Sequence, residues 1–155
     1  MEKKRVETLL RIFNENKVDY ILIGAFSFVA HGYARYTMDV DIMIKPTLEN
    51  AKRCYKALET FGYDLQGEDT SLLMNKKVLF RDYSLLVDIH PSAAGVTFEE
   101  VWKNKKLDKV GDTPAYFASL DDIIKMKKAA GRPKDILDLE NLTRLKKEKK
   151  HGKEL

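Results

Sequence analysis

Residues 20–44 read YILIGAFSFVAHGYARYTMDVDIMI, and this stretch decides the fold. It opens on an apolar run, Tyr20, Ile21, Leu22 and Ile23, that stops at Gly24. It closes on a second run in which Asp39 and Asp41 alternate with Val40 and Ile42. Both runs read as strands. Residues i and i+2 of a strand share a face, so Asp39 and Asp41 stand side by side, about 7 Å apart along the strand. Two like charges so placed repel. A hard divalent cation such as Mg²⁺, which takes carboxylate oxygens, is the natural compensation. Gly24 permits a tight turn and a close backbone approach. A short helix after it would offer free N–H groups to an anion. The stretch therefore provides for a metal and for a phosphate.

Outward from this stretch, Val6, Leu9, Leu10 and Phe13 recur at helical spacing and predict a helix over 3–16. A buried strand over 19–23, a short helix over 25–32, a loop over 33–37 and a strand over 39–44 follow. Thr47 caps the next helix, with Glu49 in its first turn and Leu48, Ala51, Cys54, Tyr55 and Leu58 facing inward. Short strands are expected at 63–65, 72–74 and 77–80, with a turn at 67–71. A third core strand over 83–89 carries Asp88 near its end. A helical turn over 98–102 and an edge strand over 107–110 come next. Ser119 and Asp122 begin a helix in the manner of a capping box. Gly131-Arg132-Pro133 interrupts it, and Ile136, Leu139, Leu142 and Leu145 give a last helix its apolar face. The expected fold is α/β (α+β), a short mixed sheet with helices packed mainly on one side and further helices at the C-terminus.

At 155 residues, one domain is the natural reading, over 1–143. Hydrophobic residues are 44% and charged residues 34%, an ordinary globular balance. The single cysteine, Cys54, excludes an internal disulfide and suits a reducing cytoplasm. No apolar run approaches the roughly 20 residues needed to span a membrane, and the opening MEKKRVETLL does not read as a signal peptide. The net charge is +4, yet 144–155 alone holds six basic and two acidic residues, so 1–143 is neutral. The excess is a basic helix end or tail, not a groove built for nucleic acid.

An aspartate ending an apolar strand, beside a strand with two more, is what a three-carboxylate metal site requires; the plainer reading of Asp88 is a cap on its loop. The pattern of a strand, Gly24 with Ser27 after it, a short helix and then Asp39-Val40-Asp41 resembles the nucleotidyltransferase superfamily of DNA polymerase β. With His31-Gly32, Arg35 and Thr37 it is most similar to the small bacterial and archaeal nucleotidyltransferases, including the minimal type of toxin–antitoxin pairs and the abortive-infection type. The resemblance runs over about residues 5–142. It extends to the ending from Lys127 through Gly131-Arg132-Pro133-Lys134-Asp135.

The resemblance implies transfer of a nucleoside monophosphate from an NTP, ATP first, to an acceptor hydroxyl with release of pyrophosphate. Two Mg²⁺ ions, or Mn²⁺, would be held by Asp39, Asp41 and Asp88, with Asp88 also the base toward the hydroxyl. Gly24, Ala25 and Ser27 would hold the triphosphate. Arg35, Lys127 and Arg132 would meet phosphate oxygens. The chain departs from the family where Gly24 is followed by Ala25 in place of Gly or Ser. Plainer readings stand beside these: Asp135 caps the last helix and pairs with Arg132, His31 is a hydrogen-bond partner at a helix end, and His90 belongs to a strand-end turn or touches the acceptor. The acceptor could be a tRNA end, a protein hydroxyl or a small molecule such as an antibiotic, and an all-helical partner protein could complete its binding surface. A different class of function is a non-catalytic nucleotide- or partner-binding module such as an antitoxin. A nuclease would leave the glycine turn unexplained.

Overall fold

The computed structural model describes residues 3–33, 37–81 and 85–154. Six strands form one mixed sheet: β1 (Tyr20–Ile23), β2 (Asp39–Ile44), β3 (Val78–Arg81), β4 (Leu86–His90), β5 (Lys106–Val110) and β6 (Thr113–Phe117), in the order β3-β4-β2-β1-β6-β5. The helices are α1 (Lys3–Glu15), α2 (Leu48–Phe61), the single turn α3 (Leu72–Asn75), α4 (Phe98–Asn104), α5 (Leu120–Ala130) and α6 (Pro133–Glu154). A 3₁₀ helix, Ala25–His31, links β1 to β2.

Strand alternation sets what each face of the sheet carries. Tyr20, Leu22, Val40, Ile42, Ile44, Val87 and Ile89 point to the face covered by α1 and α2 and form the larger core with Leu9, Leu10, Phe13, Cys54 and Leu58. Ile21, Ile23 and Met43 point the other way, against Phe28 of the 3₁₀ helix, Val101 of α4, Ile123 and Ile124 of α5, and Leu142 of α6. Asp39, Asp41 and Asp88 alternate with residues of the larger core. They therefore belong to the second face, where the smaller core leaves room. β2 and β4 run parallel with Asp41 directly beside Asp88, and β1 runs antiparallel to β2 with Ile23 opposite Asp41.

The expected helices at both ends, the strands of the 20–44 stretch and the edge strand near 107–110 all form. The 63–65 segment joins no ladder; Tyr63 instead donates its hydroxyl to the Leu85 carbonyl at 2.6 Å. The 72–74 segment, expected as a strand, is the turn α3. Its N–H groups reach back three residues, Leu72 to Asp69 and Leu73 to Thr70, and only Leu73 is buried. No strand is expected over 113–117, yet β6 forms there. It sits between β5 and β1, where Pro114 faces Lys109. The third core strand begins at Leu86, with residues 82–84 outside the described part of the chain. The basic end continues α6 as helix, and Lys146 pairs with Asp121 of α5 at 2.7 Å. Among the described residues no helix is long and apolar enough to cross a membrane.

His31 ends the 3₁₀ helix as a buried hydrogen-bonding residue. Its Nε2 donates to the Ala118 carbonyl at 2.8 Å, and Nδ1 lies 3.5 Å from Lys149 Nζ. Burial, aided by Lys149 and Lys106 and opposed by the Ala118 carbonyl, holds its pKa below the usual 6.5. A histidine kept neutral in the fold and free to protonate when unfolded contributes stability that is lost as pH falls below 6.5. The melting temperature should therefore decline between pH 7 and pH 5. His31→Gln, whose amide can donate to the same carbonyl, should decline less steeply. Parallel slopes in thermal melts of the two proteins would contradict this.

Candidate active site

The site is built where β1, β2 and β4 expose their ends on the second face. A cleft of about 740 Å³ opens there. Gly24, Asp39, Asp41, Asp88 and His90 line it on the sheet side, and Lys127 and Arg132 on the helix side. Asp39 and Asp41 are partly buried and Asp88 is buried.

Each acidic group has a defined setting. His90 Nε2 lies 2.8 Å from Asp41 Oδ1. Burial would raise the Asp41 pKa, but the His90 hydrogen bond and charge, with Lys77 and Lys127 behind them, hold it below the usual carboxylate value. Arg81 Nη1 donates to Asp88 Oδ1 at 2.7 Å, and Lys77 Nζ stands 3.8 Å from Asp88 Oδ2. β3 pairs antiparallel with β4, Leu79 opposite Asp88, so Arg81 and Lys77 flank the aspartate.

The turn at Gly24 is fixed by close packing. Gly24 has φ +71°, and a Cβ placed there would stand 2.9 Å from Asp41 Cβ and closer still to its carboxylate. Gly24→Ala should cost about 1–3 kcal/mol, from backbone strain together with displacement of Asp41. Gly32 is the control: it also has positive φ (+86°), but a Cβ there meets nothing within 4 Å. Chemical denaturation should show the larger loss for Gly24→Ala. Equal losses would mean that contact with Asp41 is unimportant.

Of the residues expected to meet a nucleotide, Gly24, Ala25, Lys127 and Arg132 line the cleft. Ser27 does not. It is fully buried, and its hydroxyl is spent on the Gly24 carbonyl at 2.6 Å, so it braces the turn from behind. Arg35 lies outside the described residues. Lys127 and Arg132 are tied to the start of α6. Lys127 Nζ is 3.0 Å from Asp135 Oδ1 and 3.4 Å from Asp138 Oδ2. Arg132 donates Nε to Asp135 Oδ2 at 2.8 Å and its backbone N–H to the same oxygen at 3.0 Å. Asp135 thus caps α6 and pairs with Arg132, as its plainer reading holds. Burial opposes its charge, yet Arg132 and Lys127 hold its pKa well below the usual carboxylate range.

Lys77, Arg81 and Lys134 were missed as residues around the site. The i, i+2 spacing of Lys77 and Arg81 with Leu79 was visible, but it means nothing until β3 is known to pair with β4. In sequence His90 reads as a turn residue or an acceptor contact.

Asp41, Asp88 and His90 each offer one ligand atom within 4.8 Å of the others. Two carboxylates and an imidazole so close fit a divalent cation. Asp39 lines the cleft without joining this group.

The mixed sheet sets paired aspartates on adjacent strands, with a glycine turn packed against Asp41 at the same cleft. The chain belongs to the family described as "Nucleotidyltransferase of unknown function (DUF6036)", which matches residues 4–148. No curated protein matches it in sequence. Among solved structures it is similar to the lincosamide antibiotic adenylyltransferase LnuA bound to lincomycin, with TM-score 0.66 and 17% identity over 94% of this chain and 98% of that one. It is also similar to ANT(2")-Ia in complex with adenylyl-2"-tobramycin, with TM-score 0.63 and 15% identity over 90% and 86%. The Thermotoga maritima protein TM1012 is a third, with TM-score 0.59 and 15% identity over 92% and 91%. At these identities the likeness is one of fold.

Proposed function

We propose that the protein transfers a nucleoside monophosphate from ATP to an acceptor hydroxyl and releases pyrophosphate. The observation that carries this reading is the parallel pairing that sets Asp41 beside Asp88, with Lys127 lining the same cleft. In the reaction the acceptor oxygen bonds to the α-phosphorus, the bond to the β-phosphate oxygen breaks, and the hydroxyl proton goes to Asp88. Arg81 must yield Asp88 for that to happen, and the freed guanidinium is then a partner for phosphate oxygen. The turn at Gly24 and Ala25 takes the triphosphate, with Lys127 and Arg132 on the facing wall. Asp39, Asp41 and Asp88 would hold Mg²⁺ or Mn²⁺. A divalent cation there would neutralise phosphate charge and acidify the attacking hydroxyl.

The two adenylyltransferases of the same fold are described with lincomycin and with adenylylated tobramycin. Small hydroxylated molecules are therefore the first acceptor class to offer. A cleft of this volume suits a ligand of modest size. The test is to incubate the protein with ATP, Mg²⁺ or Mn²⁺ and, in turn, hydroxylated antibiotics, total tRNA and total cell protein. Mass spectrometry then reads each acceptor for a gain of one adenylyl group. A gain on one class, absent with Asp41→Asn, supports the proposal and identifies the acceptor. ATP binding without a gain on any acceptor would favour the non-catalytic module.

A further inference from the structure

We propose that His90 is a direct ligand of the divalent cation, and that the site therefore takes Mn²⁺ in preference to Mg²⁺. This rests on the reading of the cleft as a cation site and adds a residue that the aspartate pattern does not contain.

Three observations carry it. First, the described residues whose ligand atoms draw together are Asp41, Asp88 and His90; Asp39 does not join them. Second, the sheet forces this grouping. β2 and β4 pair in parallel register, Asp41 with Asp88 and Met43 with His90. Asp88 and His90 are i and i+2 on β4, so they share the face that Asp41 occupies on β2. Third, His90 Nε2 stands 2.8 Å from Asp41 Oδ1. Neighbouring ligands on one octahedral ion, with bonds of about 2.1 Å, stand about 3 Å apart. The imidazole and the carboxylate are already at that separation. Their side chains are only 16% and 23% exposed, so both are held in place.

The donor set has a consequence for the metal. Mg²⁺ is bound almost wholly by oxygen, whereas imidazole suits transition metals and oxygen donors serve Mn²⁺ as well. Two carboxylates with one imidazole therefore favour Mn²⁺.

The alternative role for His90 is to orient Asp41 by a hydrogen bond without touching the metal. Pulsed EPR on Mn²⁺ bound to the full chain separates the two. The expected spectrum shows coupling to a directly ligated ¹⁴N, lost in His90→Gln, whose amide oxygen replaces the nitrogen. Titration of free Mn²⁺ by EPR should show affinity falling about tenfold or more in His90→Gln, with Mg²⁺ affinity, read by competition, changing less. Asp41→Asn should abolish Mn²⁺ binding. Mn²⁺ held by the unmutated chain without nitrogen coupling, but lost in Asp41→Asn, would overturn the role of His90 and leave the carboxylate site standing. No Mn²⁺ bound by the unmutated chain at millimolar concentration would contradict both. The nitrogen signal is read on the unmutated chain, so the outcome does not depend on a variant's folding.

Discussion

Asp41→Asn is expected to lower nucleotidyl transfer on the order of a thousandfold, with the fold retained. Asparagine has nearly the same shape and keeps an oxygen to face His90, so the packing around Gly24 need not change. What it removes is a negative charge between Asp88 and His90, in a partly buried position where charge is poorly screened. Asp41→Asn also removes the cost of burying a charge, which offsets the loss of attraction to His90, Lys77 and Lys127. Stability should therefore move by no more than about 1 kcal/mol. Pyrophosphate release and urea denaturation measured side by side check both halves. A large loss of stability with the loss of activity would mean that Asp41 is structural first.

Asp135→Ala should be the most destabilising single change near the cleft, costing about 3–5 kcal/mol. Asp135 is fully buried and receives Arg132 Nε, the Arg132 backbone N–H and Lys127 Nζ. Alanine would remove the shorter of the two carboxylate contacts of Lys127, whose side chain is only 11% exposed, and leave it Asp138 at 3.4 Å. Breaking a buried pair from one side costs more than the pair contributes, because the remaining charge loses a partner without regaining water. The cap on α6 is lost at the same time. Since the folded carboxylate pKa lies below the usual 3.8, its contribution is present above that value and lost as pH falls from there through the lower folded pKa. The gap in unfolding free energy between Asp135→Ala and the unmutated chain should be full at pH 7 and shrink in acid. A loss under 1 kcal/mol in urea at pH 7 would contradict this account of Asp135.

Much of this fold was legible because buried strands advertise themselves. Tyr20 to Ile23 is uniformly apolar and ends at a glycine, and β2 opens with polar and apolar residues in alternation before its apolar end. The helices declared themselves by spacing and by caps: Thr47, Ser119 and Gly131 all stand at the ends they suggested. Asp39, Asp41, Gly24 and Lys127 were legible as residues around one cleft because they lie in or beside such elements. What was not legible depends on pairing between distant segments. The parallel ladder of β2 and β4 brings His90 to Asp41 across 49 residues of chain, and no local pattern signals it. Arg81 and Lys77 reach Asp88 by the same kind of pairing. β6 depends on the same kind of pairing, with β5 and β1, and α3 was hidden by a short apolar run that serves a helical turn as well as a strand. Ser27 was misplaced because its hydroxyl could serve a ligand or its own turn equally well in sequence, and only burial decides for the turn.

The most direct measurement of the central claim compares ATP labelled on the α-phosphate with ATP labelled on the γ-phosphate in the same reaction, with the metal and acceptor that give product. Nucleotidyl transfer predicts that the α label appears on the acceptor and the γ label leaves as pyrophosphate, both requiring Asp41 and Asp88. Label on the acceptor from the γ position alone would make the protein a phosphoryl-transfer enzyme and contradict the account.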